Sequence, residues 1–346
     1  MRAVAWIDDR LRMIDQRQIP FETETIDYED YAEVARAITD MVVRGAPAIG
    51  VSAAYGMALA ARQSAATDVP ALLRDLATAA GVMKAARPTA VNLAWAVDHV
   101  MDVARSDRFT TPNAIRAAIL DEAHRMAEDD VRTNKQIGQY GAALIKDGDT
   151  ILHHCNTGFL ATVDYGTALG IIRTAHEQGK HIHVLLDETR PRLQGARLSA
   201  WECEQLGIPY DIIPDTAAGF YMRRGEINVV MFGADRVAAN GDVVNKIGSY
   251  QIAVLGHENG IPVYSAMPIS TVDLTMPDGD EIPIEERDPA EVRAPYGCEI
   301  VPAHFHARNP AFDVTPAHYL NGLVTECGVV LPPFTENLRK TVESKK

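Results

Sequence analysis

The chain has 346 residues, 47% hydrophobic and 23% charged, a globular composition too long for one ordinary core and comfortable for two domains. Its formal net charge of −14 argues against nucleic acid and anionic membrane as partners, and any phosphate site must be a local cluster of Arg, Lys and backbone N–H groups. No stretch reaches the roughly 18 apolar residues of a membrane span, and the opening MRAVAWIDDRLRMIDQ is no signal peptide.

The first third reads as helical. In YEDYAEVARAITDMVVRG, Val34, Ala35, Ile38, Met41 and Val42 recur at helical spacing, and Arg44-Gly45 ends the run. Pro47 suits the first turn of the next helix, predicted from 47 to about 62 and apolar nearly all round, hence buried. Further helices are predicted over 69–86, 91–105 and 112 to about 146. From there strands and helices alternate. Strands are predicted at 150–154, 181–188, 209–213, 227–233 and 262–266, with helices over 166–176, 193–206, 216–224 and 246–257. Such repetition implies right-handed parallel β-α-β units and a doubly wound sheet. The expected architecture is α/β, with a small mainly helical domain at 1–125 and a catalytic domain at 126–346.

In open α/β sheets ligands gather outside the carboxyl ends of the strands. That rule selects His154, Cys155, Asn156 and Thr157 after the first strand and Asp187, Glu188, Thr189 and Arg190 after the second. After INVVMFG it selects Asp235 and Arg236, then an Asn240-Gly241 turn, with Asn245-Lys246 expected at a helix start. A thiol and a carboxylic acid beside cations suit proton transfer on a phosphorylated small molecule, without identifying the reaction. Each candidate has a plainer reading. Cys155 works equally as a small buried hydrophobe, and Asp235 as a turn residue paired with Arg236. Arg44 and Lys246 work as exposed charges, although N–H groups at a helix start also cradle phosphate.

The four cysteines, Cys155, Cys203, Cys298 and Cys327, show no CxxC spacing, so a reduced, cytoplasmic protein is expected. His153-His154-Cys155 and the pairs His181/His183 and His304/His306 lack a third ligand at a recognisable spacing, so no metal is expected. Neither GxGxxG nor GxxxxGK[ST] occurs, which disfavours dehydrogenase and NTPase readings.

Five ordered blocks now carry a resemblance: MVVRGAPAIG (41–50), HCNTG (154–158), DETRPRLQGARLSAWE (187–202), GADRVAANGDVVNKIGSY (233–250) and NPAFDVTP (309–316). Running from the first residues to about Val330, the chain resembles the methylthioribose-1-phosphate isomerase family. That family is shared with ribose-1,5-bisphosphate isomerase and with regulatory subunits of the guanine-nucleotide exchange factor of eukaryotic translation initiation. The resemblance implies Cys155 as the thiol at the reacting carbon and Asp235 as general acid. It implies substrate held by Arg44, Gly45, Ala46, Arg87 of ARPTAVNL, Gln194, Asn245 and Lys246. It also implies a helical N-terminal domain before a Rossmann-like domain, a homodimer, and no metal or organic cofactor. Phe159 and Asp164 depart from the small residues expected there and bear on substrate breadth.

The implied chemistry needs Asp235 to stay protonated near neutral pH. The expectation is an apolar, desolvated setting supplied by the INVVMFG strand. The rival readings are a ribose-1,5-bisphosphate or 5-deoxyribose-1-phosphate isomerase and a non-catalytic regulatory subunit. Against the last stands the presence of both Cys155 and Asp235.

Overall fold

The computed structural model describes residues 2–88 and 90–345. It divides into two compact units, Met1–Arg132 with Phe159–Asp164, and Thr133–Gly158 with Tyr165–Lys346. No helix among the described residues is long and apolar enough to cross a membrane.

The first unit opens on an antiparallel sheet of β1 (Val4–Ile7), β2 (Arg10–Ile14) and β3 (Thr25–Tyr28), so the first third is not helical throughout. The reason is a period of two in RLRMI, which buries Leu11 and Met13 and turns Arg10 and Arg12 outward. Four helices follow: α1 (Tyr31–Thr39), α2 (Ala46–Gln63), α3 (Val69–Ala85) and α4 (Val91–Ala104). Asp30 caps α1, its side chain accepting the N–H groups of Ala32 at 2.6 Å and Glu33 at 3.2 Å. As its composition predicts, α2 is buried on every face from Ala48 to Ala61. Its glycines let neighbours close in: a Cβ at Gly56 would meet Met83 and Val34, and one at Gly50 the Asn92 carbonyl oxygen at 3.3 Å. Helix α5 (Pro112–Ala142) continues from the first unit into the second.

The second unit holds a seven-stranded sheet built on β4 (Thr150–His153), β5 (His183–Asp187), β6 (Tyr210–Ile213) and β7 (Val229–Phe232). Between β7 and the next strand of this sheet lie β8 (Arg236–Ala238), β9 (Val243–Lys246) and α9 (Ser249–Glu258). The sheet resumes with β10 (Val263–Ala266), then β13 (Gly322–Thr325) and β14 (Gly328–Val330). Spatial order is β14-β13-β10-β7-β4-β5-β6, all parallel except the β13–β14 pair. Counted along the chain, the six parallel strands therefore run 3-2-1-4-5-6, with the order reversing between β4 and β7.

Both faces of the sheet are covered. Ile151, Val184, Leu186 and Met231 pack against α6 (Ala168–Glu177), α7 (Ala200–Leu206) and the end of α5. Leu152, Leu185, Val230 and Phe232 pack against α8 (Ala218–Arg223), α9 and α11 (Phe334–Lys345). The doubly wound α/β class expected from the sequence is the class observed.

One local expectation fails and another is met with a change of helix type. The segment after β7 is not a loop leading to a helix at Lys246. Instead β8 and β9 pair antiparallel around Asn240-Gly241 and join β11 (Val272–Asp273) and β12 (Phe312–Thr315) in a four-stranded sheet. Lys246 closes a strand, and α9 begins at Ser249. Asn-Gly between Val237 and the Val243-Val244 pair is a hairpin signal. The helix predicted over 193–206 is present from Gly195, with its first turn of π type at Gly195–Ser199 before α7. A short helix, α10 (Ala290–Arg293), lies in the long connection before β12.

Candidate active site

Cys155 lies two residues beyond β4, partly buried, with a left-handed backbone at φ +67°. A side chain other than glycine pays about 1–2 kcal/mol for that conformation, so neighbours must hold it. They come from the segment after β5. The Cys155 N–H donates to Thr189 Oγ1 at 2.9 Å, and the Ser199 hydroxyl donates to the Cys155 carbonyl at 2.8 Å. The Thr189 hydroxyl donates onward to the Asp187 carbonyl at 3.1 Å. Gln194, 3% exposed at the head of the π-type turn, sets its amide nitrogen 3.8 Å from the Cys155 sulfur. Its Oε1 is buried and takes no hydrogen bond from the described residues.

The rest of HCNTG is anchored from below. Asn156 donates to Glu202 Oε1 at 2.8 Å and to Ser199 Oγ at 3.2 Å. A Cβ at Gly158 would overlap the buried Glu202 carboxylate, so a larger residue there would have to displace that hydrogen-bonded side chain. Thr157 Oγ1 accepts the Leu169 N–H at 2.9 Å and is hydrogen-bonded to His153 Nε2 at 2.8 Å. Burial holds His153 neutral, its pKa lowered to about 3. His154 is also buried; its ring nitrogens lie 2.9 Å from Asp187 Oδ2 and 2.9 Å from the Ile247 carbonyl oxygen. Burial opposes a charge on His154, but the Asp187 hydrogen bond and charge outweigh it and raise its pKa.

Asp235 follows β7, the strand beside β4, and its N–H donates to the Val244 carbonyl at 2.9 Å. The loops after β4 and β7 meet directly: a Cβ at Gly233 would come within 2.8 Å of the Thr157 methyl carbon. The side chain of Asp235 is exposed, so the apolar setting expected from its strand is not supplied by the chain. The apolar residues of β7 point into the two core layers instead. Asn245 is buried, donating to Ser249 Oγ at 2.7 Å, while Ser249 donates to the Lys246 carbonyl at 2.8 Å. Lys246 donates to the Ala311 carbonyl at 2.7 Å and lies 4.1 Å from the centre of the Phe312 ring.

The second unit thus brings Cys155, Gln194, Asp235, Asn245 and Lys246 to the carboxyl-end side of its sheet. In the first unit, Arg44, Gly45 and Ala46 form the start of α2, and Arg87 lies between α3 and α4. Gly45 is the N-cap at φ +90°, where a Cβ would overlap the Ala161 backbone. Phe159 is buried, and Asp164 is half-buried.

His154, Asp187 and Asp215 bring possible ligand atoms within 4.8 Å of one another. His154 and Asp187 Oδ2 pair with each other and Asp215 accepts the N–H groups of Thr189 and Arg190, each at 2.7 Å, while Asp187 Oδ1 takes no hydrogen bond from the described residues. His181 and His183 pair at the surface with Asp147 and Asp211. Ser199 and Glu202 escaped the sequence reading. Their signal was two polar residues three apart on an otherwise apolar helical face.

Residues 42–332 match the Initiation factor 2 subunit family. The chain is 50% identical over 343 residues to methylthioribose-1-phosphate isomerase 2 of Pseudothermotoga lettingae, covering 99% of both. Among solved structures it is similar to 5-methylthioribose 1-phosphate isomerase from Pyrococcus horikoshii, with TM-score 0.95 and 44% identity over 99% of this chain and 96% of that one. It is also similar to the delta subunit of translation initiation factor eIF-2B from A. fulgidus, with TM-score 0.91 and 40% identity over 99% of each.

Proposed function

The chain belongs to the Initiation factor 2 subunit family, and we propose that it is an aldose–ketose isomerase of methionine salvage, converting 5-methylthioribose 1-phosphate to 5-methylthioribulose 1-phosphate. One observation carries the chemistry. A thiol and a carboxylate stand at the carboxyl ends of adjacent parallel strands, β4 and β7, where the strand order reverses.

The substrate carries phosphate on its anomeric carbon, so its ring does not open spontaneously. Asp235 donates a proton to the ring oxygen as that bond breaks. Because the chain leaves this side chain exposed, the proposed role requires the bound sugar to cover the carboxyl and so favour its neutral form. Hydrogen then moves from carbon 2 to carbon 1. Cys155 serves either as base through an enediol or as a wall of the site for a hydride shift, and solvent deuterium in the product marks the first route. Gln194 presents a buried acceptor for a sugar hydroxyl. Arg44, Gly45, Ala46, Arg87, Asn245 and Lys246 are the proposed substrate-holding residues, with the phosphate on the cations and helix-start N–H groups. A cytoplasmic homodimer completes the proposal.

The similarity to an initiation-factor subunit favours a second reading, a non-catalytic module. Turnover by purified protein separates the two. Side by side, 5-methylthioribose 1-phosphate is expected to show the highest kcat/KM. The 5-deoxy sugar phosphate is expected to be poorer by the ~1–3 kcal/mol that burial of the methylthio end contributes. Ribose 1,5-bisphosphate as the best substrate, or no turnover of any sugar, would overturn the assignment.

A further inference from the structure

His154 and Asp187 are buried, flank the reacting thiol's loop, and have no part in the steps just described. Both neighbours of the imidazole are acceptors. The Ile247 carbonyl cannot donate, so Nε2 must carry a proton toward it, while Asp187 fixes the ring from Nδ1. Ile247 directly follows Lys246 and precedes Gly248, the residue that leads into α9. The ring packs on that backbone: with Gly248 at φ +106°, an added Cβ would approach His154 Cε1 to 2.7 Å and Nε2 to 3.0 Å. From another side Asp313 accepts the Gly248 N–H at 2.7 Å and the Tyr250 N–H at 3.1 Å. Two side chains, one just after β4 and one in β12, therefore hold one short segment.

We propose that His154 is a positioning residue of the isomerase: anchored by Asp187, it holds Ile247-Gly248, and through them Lys246, in register with the Cys155 loop. This inference rests on the isomerase reading and on Lys246 as a substrate ligand. A misplacement of about 1 Å costs catalytic geometry on the order of 10²-fold, so such a clamp has something to protect. Its effect should fall first on binding, because the segment it holds follows Lys246, while the Cys155 loop next to it is held separately by Thr189, Ser199 and Glu202.

Substitutions at His154 separate its two contacts. Gln places an amide nitrogen near the position of Nε2 and keeps a donor to Ile247; Asn places one near Nδ1 and does not. With 5-methylthioribose 1-phosphate, His154→Asn is expected to raise KM at least about tenfold with kcat within about threefold, and His154→Gln to restore most of the KM. Wild-type protein without turnover would sink the isomerase reading. An active wild type whose Asn and Gln variants share one KM would sink the positioning role instead. Should the variants fail to fold, NMR of wild-type protein carrying ¹⁵N-histidine decides. A protonated His154 Nε2 is expected, and a bare Nε2 overturns the proposal.

Discussion

At Cys155 the identity of the side chain and the conformation of its backbone come from different places. A cysteine after a strand and before Asn-Thr-Gly is visible in the sequence, as is Asp235 after INVVMFG. The left-handed φ at Cys155 is not, because it is imposed by Thr189 and Ser199 from another segment. Burial of Asp235 was equally unreadable: apolar neighbours in sequence alternate into the core, while the residue beyond the strand end faces outward. The acid nevertheless makes a sharp prediction. Asp235→Asn keeps shape and loses the proton, so kcat should fall by ~10²–10⁴-fold with KM little changed. Steady-state kinetics checks this, and a near-normal kcat removes Asp235 from the chemistry.

Among the elements, long periodic segments were legible and short paired strands were not. Helices α2 to α5 and the five parallel strands from β4 to β10 announce themselves by 3.6-residue spacing or by short apolar runs between turns. The strands of the β1–β3 sheet and the β8–β9 hairpin are about as short as β4 to β10, but charged or polar residues interrupt or closely bound their apolar runs, so no run sets them apart from neighbouring helical signals. Lys246 was consequently placed at a helix start when it ends a strand. The loops after β4 and β7 were identified separately, but only packing shows them in contact through Gly233 and Thr157. Gly233→Ala would thrust a methyl into that contact and push the Cys155 and Asp235 loops apart. The expected cost is about 1–3 kcal/mol of stability, the usual penalty for overpacking, with a larger fractional loss of kcat/KM. Thermal melts beside kinetics test it; an unaltered kcat/KM would mean the two loops do not depend on this contact.

For the whole molecule, the parallel sheet with a core on each face is the part that composition and element order specify best. Its centre is β7, buried throughout, and Phe232 is among the largest fully buried side chains. Phe232→Ala should destabilise by about 3–5 kcal/mol, read as a lower denaturant midpoint with an unchanged slope. The reversal of strand order between β4 and β7 has a further consequence, for how the chain is made. As synthesis proceeds from the N-terminus, β5 and then β6 can add outward on one flank of β4. The other flank of β4 has no partner until Val229 has left the ribosome. Throughout that interval a nascent chain carries Cys155 without Asp235, the two groups proposed for the chemistry, and an apolar strand edge stands open to wrong partners. The same ordering means that no fragment ending before β7, however well its first unit folds, can hold both proposed reacting groups.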